Sequence, residues 1–182
     1  MVQPRPFDPT CPRYAPDLAF PLYRHVPGQT PHPRTHPQGH SFGLQEGCEG
    51  PPLTGENWRR NQPYLRGVDL YNYAYWWEAH EEWEELWRCA EPLCRLYLQG
   101  LVQVAAALIK WHQRNPRGAV RLSRKGREKL GRVAAAHPLY MGLRLPGFLE
   151  RLDCFFSAFP DPDRAGPVWA DPTLAPLLLL EF

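Results

Sequence analysis

The residues best placed to do chemistry lie between Tyr73 and Trp87, where His80, Glu81 and Glu84 sit among Trp76, Trp77, Trp83 and Trp87. On a helix at 100° per residue, Tyr73, Trp76, Trp83, Glu84 and Trp87 fall within about 60° of His80. Glu81 lies at one shoulder of that face, and Glu78, Glu82 and Glu85 point more nearly away. An imidazole and a carboxylate one turn apart in an aromatic face cost several kcal/mol to bury unless they are paired. The i,i+4 spacing supplies such a pair. It has three readings: a structural His80–Glu84 pair, acid–base chemistry above a floor of Trp76, Trp83 and Trp87, or a divalent metal on His80 and Glu84 with Glu81 as helper.

The metal reading needs another ligand, because His-Glu-x-x-Glu lacks the second histidine of the H-E-x-x-H helices. His112 is poorly placed. In a helical hairpin turning near residue 90 it lies ~18 Å beyond the level of His80, nearer to Asp69. The stretch from Thr30 to Ser41 is better supplied, with His32, His36 and His40 at a spacing of four. Folding this stretch over the first helix would bring His32 or His40 to His80 and Glu84, whereas a solvated coil would not. Lys110, Arg34 and Arg66 are candidate contacts for a bound anion, and Tyr73 and Lys110 join the tryptophans as ligand-binding candidates.

Holding these groups is the work of a chain divided in composition. Of the 22 prolines in 182 residues, 13 precede residue 67. Each removes a backbone donor and restricts its predecessor, so no useful helix fits in residues 1–66. Phe7, Tyr14, Leu18, Phe20, Tyr23, Phe42 and Trp58 in the same stretch are too apolar for a solvated linker. The expectation is an ordered arm, 1–66, packed on a helical body, 67–182. Asp69 marks the start of a first helix reaching about Arg88. Pro92 begins a second, to about Asn115, and a third spans 117–135. Pro146-Gly147 opens a fourth, to about Ala158. Later prolines keep the tail irregular, ending in an extended Leu177–Phe182 tucked onto the body. The short connections imply an all-α, small antiparallel bundle of about four helices.

Several classes are disfavoured. No apolar run approaches the ~20 residues of a membrane span, and Met1–Pro6 has no signal-like core. A net charge of +2 does not call for nucleic acid. Arg117, Arg121 and Arg124 make a basic stripe that reads as a solvated face. Five cysteines without a C-x-x-C pair suit free thiols in a reducing cytosol. Cys89 and Cys94 flank a turn and are close enough in sequence to meet. A homo-oligomer is left open.

The run Trp76-Trp77-Glu78-Ala79-His80-Glu81-Glu82-Trp83-Glu84-Glu85-Leu86-Trp87 resembles the signature of the domain of unknown function 309 family. So do Leu98-Gln99-Gly100-Leu101-Val102-Gln103 and Asn115-Pro116-Arg117-Gly118-Ala119, over about residues 68–135. The arm, with Tyr23–Pro33 and Gly39-His40-Ser41, resembles the leader of longer members. The resemblance implies a compact bacterial or archaeal helical bundle and no particular activity. The function expected is that of a helical protein whose His80/Glu84 pair is structural or ligand-binding. The alternative is a metal-dependent hydrolase-like or acid–base enzyme.

Overall fold

The computed structural model describes residues 3–44, 47, 51–157 and 175–182. Five α-helices follow a single 3-10 turn at Trp58–Arg60: α1 (Gln62–Asn72), α2 (Trp76–Cys89), α3 (Pro92–His112), α4 (Pro116–Ala136) and α5 (Leu145–Ser157). A minimal antiparallel hairpin, β1 (Leu139–Tyr140) and β2 (Leu143–Arg144), precedes α5. Each of α1 to α4 packs on the helix that follows it. Among the described residues the bundle therefore has five helices rather than four, plus a hairpin. The irregular tail expected over 158–174 lies outside the described residues.

Local chemistry accounts for most boundaries. Asn61 accepts the Tyr64 N–H at 2.9 Å, and Asn115 accepts the Gly118 N–H at 2.9 Å. Each caps a helix with proline at an early position. The extra helix arises where the expected first helix breaks at Tyr73–Tyr75. Ala74 there adopts φ 64°, a left-handed conformation rare for a residue with a Cβ. The arm holds this break. Phe20 lies 5.1 Å from the Tyr73 ring and 5.0 Å from the Tyr75 ring. Arg24 donates to the Tyr73 carbonyl at 2.9 Å and covers the Tyr75 ring at 4.4 Å.

Asp69 neither caps a helix nor meets His112. It is buried inside α1 and accepts from Arg13 Nε at 2.8 Å and from the backbone N–H groups of Tyr14 and Ala15 at 2.7 and 2.9 Å. Phe7 reaches further, packing on Trp76, Trp111 and Phe155 at 5.5–5.7 Å. The far end of the chain is held on the same helix. Both ends of the Asn72 amide bond Leu178, at 2.8 and 2.9 Å, while Leu180 bridges to Leu143.

α3 is long and apolar enough to cross a membrane by length and composition, and half of the qualifying window is buried within the protein. That burial is also what the central helix of a bundle shows. Free thiols are found at Cys11, Cys94 and Cys154. Cys89 departs from the expectation: it is disulfide-bonded. Nor does it meet Cys94, which is buried with its sulfur 3.0 Å from the Tyr140 hydroxyl.

Candidate functional site

Helix α2 presents polar groups in two directions. On one side, His80 Nε2 stands 3.3 Å from Glu84 Oε2 and His80 Nδ1 stands 3.3 Å from the Val102 carbonyl on α3. A carbonyl only accepts, so Nδ1 carries the proton of that contact. The second ring nitrogen then faces a carboxylate. Ligand atoms of His80, Glu81 and Glu84 all lie within 4.8 Å of one another, the single group of this kind among the described residues. All three side chains are partly exposed.

The aromatic candidates do not form a pocket floor there. Trp83 is fully buried and Trp76 nearly so. Trp76 packs between Phe7, Trp111 and His112. Trp83 lies against Gly67, where a Cβ would come within 2.2 Å of its Nε1. Trp87 is half-buried with Arg95 above its ring. Tyr73 is not on α2 at all; it ends α1 and donates its hydroxyl proton to the Cys11 carbonyl at 2.8 Å. Lys110 bonds Gln113 at 3.1 Å near the far end of α3.

The arm does fold over α2, but on its other side. His40 Nε2 is 3.1 Å from Glu78 Oε1, and the His25 N–H donates to the same oxygen at 2.7 Å. His32 stacks edge-on against Trp77 and His25 at 5.3 Å. Neither His32 nor His40 joins the His80 cluster. Arg34 pairs with Glu81, at 3.1 Å, and with Glu85. Arg66 pairs with Glu82. Both arginines thus hold carboxylates of α2.

Between arm and helix lies a cleft of about 350 Å³, lined by Glu78, Glu81, Glu82 and Glu85 of α2 and by Arg66, Arg34, His40 and Trp77. Spacing from Glu78 by three, four and seven residues sets all four carboxylates on one helix face. That spacing is visible in the sequence, but the face reads as solvent until the arm is seen to cover it. Burial raises the Glu82 carboxyl above the ordinary range, opposed by the Arg66 guanidinium.

Burial also holds the His25 imidazole below the ordinary histidine range, with the Glu78 charge pulling the other way. A lowered folded value means that the unfolded chain takes up the extra proton first. The contribution of His25 to stability is full above roughly pH 6.5 and is lost as pH falls toward the lowered value. Glu82 acts with the opposite sign, since its raised value favours the fold on acidification. Thermal melts of wild type and His25→Asn from pH 7.5 to 5 separate the two. The wild type is expected to lose more of its melting temperature than the variant, and parallel profiles would show that His25 is not involved.

No curated protein and no solved structure matches the chain. A family model does match residues 64–122, a shorter stretch than the 68–135 expected at its far end, running from α1 into the first turns of α4. This stretch holds His80, Glu81 and Glu84 and all four carboxylates of the cleft, and across it the chain resembles a domain of unknown function, DUF309.

Proposed function

We propose that this chain binds a divalent metal ion through His80, Glu81 and Glu84. The carrying observation is the three-donor cluster, in which His80 Nδ1 is held by the Val102 carbonyl and Nε2 is turned toward Glu84. Metal-bound histidines commonly donate their other N–H to a backbone carbonyl, which fixes ring and tautomer. One imidazole and two carboxylates suit borderline Zn²⁺ or harder Mn²⁺ over soft ions. Three protein ligands leave positions for water or substrate, the usual arrangement of a metal that activates water for hydrolysis. In this reading Arg34, paired with Glu81, orients a ligand. His32, His40, Tyr73 and Lys110 have no part in the metal site.

The test is elemental analysis after loading with Zn²⁺ or Mn²⁺, with thermal melts alongside. A ligand at 100 times its Kd stabilises by about 2.7 kcal/mol, which at roughly 2–4 °C per kcal/mol raises the melting temperature by about 5–10 °C. Wild type is expected to retain one ion per chain and show that rise; His80→Ala is expected to lose both. If wild type holds no ion and neither metal raises its melting temperature, His80–Glu84 is a structural pair.

A further inference from the structure

We propose that the cleft between the arm and α2 is a second ligand site, adjoining the His80 cluster at Glu81 but not using His80 or Glu84, for a small amine that also carries an oxygen acceptor. Its first support is Glu78. This side chain is only 4% exposed, and Oε1 already takes two partners from the arm. Oε2 is buried with no hydrogen-bond partner among the described residues. Leaving a buried carboxylate oxygen unsatisfied costs more than the ordinary net value of a hydrogen bond. An ammonium group meets that oxygen with a charge-assisted bond.

Arg66 supplies the second support. Its terminal nitrogen holds Glu82, but Nε is buried and has no partner among the described residues. Glu78 and Arg66 line the same cleft. The lining of the cleft thus holds one unfilled acceptor and one unfilled donor, both covered in this structure, which a ligand reaches by turning the two side chains outward. A ligand meeting both has a cationic donor at one place and an oxygen at another, as an amino acid or amino alcohol does. The balance of charge agrees, because four carboxylates face only two guanidinium groups across the lining.

An organic cation fits better than a bare metal ion. These carboxylates do not converge on a common point with His40, since the single cluster with metal-like spacing among the described residues is His80, Glu81 and Glu84. Donors spread along a helix face suit an extended molecule. Trp77, Phe20 and Leu70 give the cleft apolar wall for its stem, and about 350 Å³ is within the range of small-ligand sites.

Calorimetric titration of the full, metal-free chain with L-lysine, ethanolamine, putrescine and succinate tests this. L-lysine or ethanolamine is expected to bind one per chain, more tightly than putrescine, with succinate silent. Glu78→Gln should weaken binding at least tenfold, and Arg66→Gln should erase the preference over putrescine. Tryptic digestion of the arm checks that both variants keep it docked. Leu22→Lys is a variant with no core to disturb, since Leu22 lines the cleft and is 93% exposed; its ammonium should compete and weaken binding several-fold. His80→Ala should bind the amines as wild type does. The proposal is overturned if none of the amines binds, if succinate binds as well as they do, or if Leu22→Lys and Glu78→Gln, with the arm docked, leave the affinity unchanged.

Discussion

Replacing Asp69 by alanine is expected to lower the melting temperature by on the order of 10 °C and to free the arm. Asp69 is fully buried, and every partner of its side chain belongs to residues 13–15. Alanine leaves two backbone N–H groups and the Arg13 guanidinium facing a hole. The loss is up to about 3–5 kcal/mol, the range for breaking a buried pair; it comes chiefly from the two N–H groups left without an acceptor, since Arg13 is 23% exposed and keeps the carbonyls of Ala15 and Leu18. At roughly 2–4 °C per kcal/mol, this is the largest single loss expected from a polar substitution. Arg13 also covers the Phe20 ring at 4.0 Å, so its release loosens the ring that holds the α1–α2 break. Asp69→Asn keeps one acceptor oxygen but turns an amide donor toward other donors, for a smaller loss of about 1–3 kcal/mol. Melts and tryptic digestion read both effects. An Asp69→Ala protein that melts like wild type with Arg24 and Arg34 still protected would show that the arm is held elsewhere.

The arm also explains what could and could not be read from the sequence. Pro92 and Asn115-Pro116 are local signals whose consequences are local, so α3 and α4 begin where those residues place them. Ala74 is different. Neither Gly nor Pro marks the break, and the left-handed turn is fixed by Phe20, a residue more than fifty positions away. A helical wheel drawn through Tyr73 therefore included a residue that belongs to another helix. For the candidate site, the i,i+4 spacing does bring His80 to Glu84. It carried no sign of how the tryptophans divide, because Trp83 is buried by the absence of a side chain at Gly67 on α1. The same holds for the acidic face: Glu78 meets His25 across 53 positions. Periodicity assigns a residue to a face, and only long-range packing decides what covers that face.

That division of the tryptophans leads to the second large effect. Trp83→Ala is expected to cost about 3–5 kcal/mol, the range for truncating a fully buried aromatic. Gly67→Ala is the more informative partner. By helix propensity alone it should stabilise α1 by about 1 kcal/mol. Packing reverses the sign. The added Cβ would stand 2.2 Å from Trp83 Nε1, 2.7 Å from Cδ1 and 2.8 Å from Cε2, so either the indole or α2 has to move. Overpacking of this kind costs about 1–3 kcal/mol. The atoms struck belong to the five-membered part of the indole; phenylalanine keeps ring carbons near that place but lacks the outer ring, so it has room to shift away from the new methyl. Combining Gly67→Ala with Trp83→Phe should therefore cost less than the two single changes added together, by about 1 kcal/mol or more. Denaturant melts of the four proteins in this cycle give the coupling directly, and strict additivity would mean that the two residues are not in contact. Trp83 sits one turn from His80 on α2, so the cycle reaches the metal site as well. If Gly67→Ala pushes α2, it should weaken metal binding at His80 and Glu84 while leaving those ligands unchanged, and Trp83→Phe should restore part of that binding.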